Sequence, residues 1–545
     1  MADGLSELYQ DLLLGSYDCV DRIILNGYFR MGHSPGGFRA WWRTLTRSDD
    51  TLDNAHLMRM AGRFSRRLRG YAKAHHIPVI DCSVGERKHD IAEEYRAQTK
   101  ITQGLFLILV GRAQAPVWDV SPPHHLERKK PMPYVNHYSF HILDPTWGHI
   151  TLKISGHPPF PVQVILNGHE YVACQAQKAG IRFTKEGNCF THISDAAGLA
   201  KIADTLSAAG AIGRLSQVCE RWIYTTCLCF ALDLEEQKQS GFHYQYSNYQ
   251  IEYSRNLIFQ VGGHMEQVFQ ALIDRNRAPL DLKTIKTIFG YRRRPKWHKG
   301  GRFSSRWEVS VERPTYDLTI FKLHCGKVTL KIYTKGERVL RIETMAHNTD
   351  QLHCGRSLKK FPEIVSLLKG ILERFVDALS CIDQCFIADE TLEQLPAPVQ
   401  VGKTKVGGID FNKARMRCVA QAVLALSCFP GGFTASQLAE HVRRLSWQSE
   451  SEYGPRRAAY DLKKLRGKHI VSRIAKTSRY QPIPQGLRTM AALVVLRDKA
   501  IKPLLAAAQQ LRKSRRPRNP TSLDVYYQTI RTAMQAVFHE LGVAA

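Results

Sequence analysis

Phe433-Thr-Ala-Ser-Gln-Leu-Ala-Glu440, then Gly454-Pro-Arg-Arg-Ala-Ala-Tyr-Asp-Leu-Lys-Lys-Leu-Arg-Gly467, then Lys468-His-Ile-Val-Ser-Arg-Ile-Ala-Lys-Thr-Ser-Arg-Tyr-Gln-Pro-Ile483 hold the most consistent local chemistry in the chain. Thr434 and Gln437 are spaced for a reciprocal capping box, and Phe433 and Leu438 for a hydrophobic staple across it, so a helix is predicted to begin there and run to about Leu445. An apolar helix from about Lys413 to Leu426 precedes it, separated by Pro430, Gly431 and Gly432. A third helix follows Gly454 and Pro455, where a proline's missing N–H costs nothing. At about 100° per residue, Arg456, Tyr460 and Lys463 share one side with Arg457 and Lys464 flanking, while Ala458, Leu462 and Leu465 share the other. Gly467 closes the helix. Ile470 to Ile474 and Arg479 to Ile483 read as two strands around Lys476, Thr477 and Ser478. The whole predicts a winged helix-turn-helix over 409–490. Arg456, Arg457, Tyr460, Lys463 and Lys464 would face a duplex, with Lys476 and Arg479 from the wing tracking its backbone. The bland alternative is a solvated charged face, or a winged helix used for protein contact.

Charge points the same way. The 545-residue chain carries a net +28, from 77 basic and 49 acidic residues. Residues 401–545 hold 26 Lys and Arg against 8 Asp and Glu, which is +18 of that total. Nucleic acid is the partner such a balance suits. The 44% hydrophobic and 23% charged content is that of globular protein. The expected fold class is α/β (α+β) and multidomain, with mixed sheets and flanking helices. Expected boundaries are an α/β domain at 1–200, an α+β domain at 201–392, a Pro- and Gly-containing linker at 393–408, the winged helix, and a basic helical tail at 491–545. Thirteen cysteines, an odd number without paired CxxC spacing, predict reduced thiols. No apolar run approaches the length of a membrane span, so a soluble cytoplasmic protein without a membrane partner is expected; oligomeric state is not legible.

Further along the chain, Arg59, Arg63, Arg66 and Lys73 recur on one face of a helix predicted from Asp53 to Ala74. Seven histidines lie between His124 and His169. His137 and His141 alternate with apolar residues on a strand, which places them ~13 Å apart and unable to share one ion, so any metal site there must recruit another strand. Tyr249 and Tyr253 would meet on a helix but separate on the strand their surroundings predict. The loop 291–307 interleaves Arg292, Arg293, Arg294, Lys296, Lys299 and Arg302 with Trp297 and other aromatics, a composition suited to single-stranded or structured nucleic acid, RNA included.

The run Asp461 to Arg473 followed by Ser478-Arg-Tyr480 resembles the winged helices of bacterial transcription regulators, which implies DNA binding. Leu330-Lys-Ile-Tyr-Thr-Lys-Gly-Glu-Arg-Val-Leu-Arg-Ile-Glu343 resembles, over its own short length, a hairpin of phage and plasmid rolling-circle replication initiators. Their His-hydrophobe-His metal triplet is missing here, so their chemistry does not carry over. Through His137 to Val172 and the same hairpin, the chain also resembles a bacterial family of unassigned activity. That resemblance implies a bacterial origin and a mobile-element setting.

A nucleic-acid-binding protein is therefore expected, with α/β domains holding a strand and the winged helix docking a duplex. The first alternative is a metal-dependent DNA-processing enzyme (a nuclease, replication initiator or transposase-like protein). It would need Mg²⁺ or Mn²⁺ and converging carboxylates, for which Asp21, Asp81, Glu86, Asp144 and Glu343 near predicted strand ends are the candidates. The second is a transcription regulator with an apolar ligand pocket.

Overall fold

In the computed structural model of the protein, the described residues are 9–48, 51–83, 85–122, 125–277, 307–312, 320–325, 328–383, 393–427, 429, 431–446, 449, 451–475, 477–497 and 521–540. The basic loop residues 292–302 and Lys476 lie outside them, as does the stretch 498–520.

The fold is mixed α/β, built on one sheet of eleven strands. Its strands are β1 (Leu13–Phe29), β2 (Val79–Asp81), β3 (Gly104–Gln114), β6 (Tyr134–Asp144), β7 (Gly148–Ser155), β8 (Val162–Asn167), β11 (Tyr244–Phe259), β12 (Trp307–Glu312), β13 (Ile320–Cys325), β14 (Val328–Lys335) and β15 (Val339–Ala346). Two small hairpins, β4 (Trp118–Ser121) with β5 (His125–Arg128) and β9 (Phe183–Lys185) with β10 (Phe190–Ile193), stand outside it. The order is β12-β13-β14-β15-β11-β1-β8-β7-β6-β3-β2. Only β2 runs parallel to its neighbour.

β1 and β11 form the sheet's centre, pairing antiparallel from Leu13 opposite Phe259 to Phe29 opposite Tyr244, with a bulge where Asp21 and Arg22 oppose Glu252. Strands from 1–200 and from 201–392 therefore share one sheet. Each is buried on both faces along much of its length, and each is long enough to pair with the other over most of its residues. Of the segment 5–14, where the sequence predicts a short helix, the described residues form a single turn at Gln10–Leu12 followed at once by β1.

Helices α1 (Pro35–Thr46), α2 (Asn54–Ala74) and α3 (Lys88–Gln98) follow β1 and β2. Phe38, Trp41 and Phe64 from the first two join Ile23, Leu25 and Tyr138 of the sheet in the main core. Ala92 of α3 closes a smaller one over Phe106, Leu107 and Leu109. Helix α4 (Gly168–Lys178) starts hard against β1. Asn167 caps it, and a Cβ on Gly168 would fall 1.7 Å from the Val20 carbonyl oxygen, so only glycine permits that approach. The Asn167-Gly168 pair, whose sequence predicts a turn before a helix near His169, is thus the cap and first residue of that helix. Helices α5 (Ala196–Asp204), α6 (Ala211–Trp222), α7 (Leu234–Ser240), α8 (Gly262–Arg277) and α9 (Phe361–Asp383) complete this part.

Beyond it come α10 (Ala414–Leu426), α11 (Ala435–Ser446), α12 (Pro455–Gly467), the hairpin β18 (Val471–Arg473) with β19 (Tyr480–Pro482), and α13 (Pro484–Leu496). Phe433 bridges to Tyr480 as a third short strand beside the hairpin. α13 packs on both α9 and α10. The segment expected as a linker contains a hairpin of its own, β16 (Val399–Val401) with β17 (Thr404–Val406), because Val399 and Val401 close against Gly467 at the end of α12. A last helix, α14 (Ser522–Glu540), lies in the expected tail.

Candidate functional site

Helix α12 separates its two sides as its sequence dictates. Ala458, Asp461, Leu462 and Leu465 are buried, while Arg456, Arg457 and Tyr460 are exposed and Lys463 and Lys464 half-exposed. Gly454 precedes it in extended conformation and Pro455 opens its first turn. The buried side is anchored by one polar contact: Asp461 accepts a 2.9 Å hydrogen bond from the Tyr453 hydroxyl and lies 3.4 Å from Arg415. Burial raises the Asp461 carboxyl above its ordinary pKa, against the pull of Arg415. On the outer side, Arg457 donates to the Glu452 carbonyl and the Lys464 ammonium sits 5.1 Å from the centre of the Tyr460 ring. Among the described residues, none of the four cations of this face is ion-paired to a carboxylate. Arg479 behaves differently. It is half-buried and donates to the Gly432 carbonyl, tying the hairpin to the loop before α11.

The basic face expected on α2 is only partly available. Arg63 is bidentate to Glu236 at 2.7 and 3.1 Å and also reaches the Ala231 carbonyl, and Arg67 lies 3.6 Å from Asp233. These arginines join α2 to the capped start of α7. Arg69 pairs with Asp81.

Of the five carboxylates picked from sequence, the structure brings two into one region. Asp81 is exposed, and exposed Glu86 accepts from the Ser83 amide. Asp144 is buried but committed: it accepts from the Thr146 and Trp147 amides, the Trp222 indole and Arg221. Asp21 and Glu343 remain, joined by Glu252. Tyr17, Asn256, Arg341 and Tyr333 lie across from one another along β1, β11, β15 and β14, and Ser254, Glu343 and Lys331 form the row beside them, so all project from the same face.

Asp21 accepts from Arg341 at 2.9 Å, from Asn188 at 2.9 and 3.1 Å, and from His169 Nδ1 at 3.2 Å. Because Arg341 also faces His169 Nε2, the imidazole holds its proton on Nδ1 and is neutral. Burial would raise the Asp21 carboxyl, but His169, Arg341 and Asn188 outweigh it and hold it well below the usual range. Glu343 accepts from Lys331 at 3.2 Å and from the Tyr333 hydroxyl at 2.6 Å. Among the described residues Gln250 is the one hydrogen-bond donor to Glu252, at 2.7 Å; burial and the charges of Glu343 and Asp21 push it up to about 7. A carboxyl that shares its proton near neutral pH beside an ionised one can give and take protons. Sequence reading missed Glu252 and Arg341, and placed His169 only among the histidines of 124–169. Charged residues at alternate strand positions look like a solvated face, and only the cover supplied by α4 and the β9–β10 hairpin buries them.

Tyr249 and Tyr253 lie on β11, as expected of a strand, and the Tyr253 hydroxyl donates to Asp18. Among the described residues no three His, Cys, Asp or Glu side chains converge on a point that could hold a metal ion. Nine of the cysteines among them are free thiols. No helix in them is long and apolar enough to cross a membrane. An open groove of ≈ 1000 Å³ runs past the ends of β1, β8 and β11, lined in part by Asn26, Tyr28, Lys153, Gln163 and Gln245. Comparison of the chain with protein-family models, curated proteins and solved structures finds no match.

Proposed function

We propose that the protein binds nucleic acid, docking duplex DNA through the outer face of α12 in the manner of a winged helix, while the α/β part contacts single-stranded or structured nucleic acid. One observation carries the reading: Arg456, Arg457, Tyr460, Lys463 and Lys464 stand outward on a helix anchored from behind by Asp461, Leu462 and Leu465, with no carboxylate ion-paired to them among the described residues. A rigid helix presenting unpaired guanidinium and ammonium groups suits a groove lined with phosphates, and the surplus of charge lies on the same stretch of chain. The mobile-element setting implied by sequence resemblance, and the intracellular location expected from the lack of a long apolar run, belong to the same reading. The test is to replace Arg456, Arg457 and Lys463 together by Gln and measure duplex affinity against salt. Each lost phosphate contact should reduce the slope of log K against log salt by about 0.9. Unchanged affinity and slope in a folded variant would place the contact elsewhere.

A second reading, a metal-dependent DNA-processing enzyme, is favoured by the Glu252, Glu343 and Asp21 region beside Lys331 and Tyr333. On that reading added Mg²⁺ or Mn²⁺ would be needed, although the described residues bring no three carboxylates or histidines together to hold it. Labelled single-stranded and duplex DNA should then be nicked or cut with either ion, and Glu343→Gln should lower the rate by at least about 100-fold, the scale of general acid–base and metal contributions. No cleavage of either substrate leaves the binding reading alone.

A further inference from the structure

The histidines of β6 and β7 meet beneath α3. His149 sits two residues before Thr151, which pairs directly with His141, so the two imidazoles are diagonal neighbours on one face of the sheet. His141 Nδ1 and His149 Nε2 are 3.1 Å apart. The other nitrogen of His149, Nδ1, lies 3.3 Å from Glu93 on α3. A carboxylate there holds the proton on Nδ1 and turns the Nε2 lone pair toward His141. Thr151 Oγ1 is 3.3 Å from the same His141 nitrogen. The other nitrogen of His141, Nε2, is buried without a hydrogen-bond partner among the described residues.

We propose that His141 Nδ1 and His149 Nε2 together bind one zinc-class divalent ion (Zn²⁺, Co²⁺, Ni²⁺ or Cu²⁺), with Glu93 as the outer partner of His149 and solvent in the remaining positions. Two imidazole nitrogens each about 2.05 Å from a tetrahedral ion lie about 3.3 Å from one another, so the observed separation needs little adjustment. A carboxylate on the far nitrogen of a metal-bound histidine is the usual means of fixing its tautomer and raising its basicity. The Phe106 ring, 5.4 Å from that of His149 and 6.2 Å from that of His141, forms an apolar wall. Burial, with His149 and His89 adding to it, pushes His141 down to about 3, so its ring is neutral at pH 7 as a ligand must be. Lys88 also acts on His141 and opposes a cation, while Glu93, held down to about 2 chiefly by the His149 hydrogen bond and then by Arg96, offsets it. This site is separate from the Asp21–Glu343 region, and its failure would leave the function proposed above untouched.

The test is titration of the full-length, chelator-stripped protein with Co²⁺, followed by Zn²⁺ displacement. Wild type should bind one equivalent tightly enough to survive gel filtration. His149→Gln should weaken that binding at least about 10-fold, and Glu93→Gln by about 10- to 100-fold. His137→Gln, one full strand step away from His141, should leave it unchanged. Equal stoichiometry and affinity in wild type and His149→Gln overturns the assignment, as does an equal loss in His137→Gln. Should His149→Gln not fold, X-ray absorption of the wild-type zinc complex decides: two imidazoles per zinc supports the site, and zinc without imidazole overturns it.

Discussion

Glu252 shows how much a single side chain depends on its surroundings. In an unfolded chain its pKa is about 4.3; in the folded protein burial, then the charges of Glu343 and Asp21, lift it to about 7. Because the folded-state value is the higher one, its contribution to stability is complete below about pH 4.3 and is lost as the pH rises through 7. Glu252→Gln removes that dependence. The variant should therefore gain on wild type between pH 5 and pH 8, read as the difference between their urea midpoints at the two values. A difference that does not change with pH would mean the carboxyl is ionised in the folded protein throughout. Asp21, on the same face, has the opposite sign: Arg341 and Asn188 stabilise its charged form, so what it contributes disappears as the pH falls below the usual carboxylate range.

At the level of the element, the start of α11 carries the capping chemistry its sequence announces. The Thr434 amide donates to Gln437 Oε1 at 2.8 Å, and the Gln437 amide donates to Thr434 Oγ1 at 3.3 Å. Phe433 and Leu438 are both buried. Thr434→Ala removes the side-chain acceptor and should cost about 1 kcal/mol, visible as a lower midpoint in thermal or urea unfolding. Loss of duplex affinity in that variant at temperatures where it stays folded would contradict the assignment, since the cap lies on a different helix from the proposed contact face. The α2 helix makes the complementary point. Its arginines recur at surface spacing, yet Arg63 and Arg67 are drawn to Glu236 and Asp233, because α7 presents a capping box of carboxylates directly opposite them. A charge pattern within one helix says nothing about which other helix will answer it.

Across the whole molecule, the central pairing of β1 with β11 joins segments more than 200 residues apart in sequence. A fragment ending at residue 200 would keep β1 paired with β8 on one side and leave its other edge, built to lie inside a sheet, open to solvent. Expressed alone, residues 1–200 should aggregate or remain unfolded, whereas co-expression with residues 201–545 should restore a soluble complex. A monomeric, cooperatively folding 1–200 fragment by size-exclusion and thermal melting would show that the sheet is two sheets in contact rather than one.

Local chemistry was legible wherever it acts over a few residues: the capping box of α11, the start of α12 at Gly454 and Pro455, the two-sided division of α12, the strand at β11 that separates Tyr249 from Tyr253, and the exposure of Arg456 and Arg457. Such features follow from backbone geometry and side-chain periodicity, which the sequence by itself determines. Only the tertiary structure decided that β1 and β11 share a sheet, that Asp144 is spent on Trp147, Arg221 and Trp222, that Glu252 joins Glu343 and Asp21, and that His141 meets His149 rather than His137. The physical reason is the same for each. A strand's register and the cover over its face are set by partners far along the chain, and burial then determines whether a charged side chain is solvated, paired or left holding a proton.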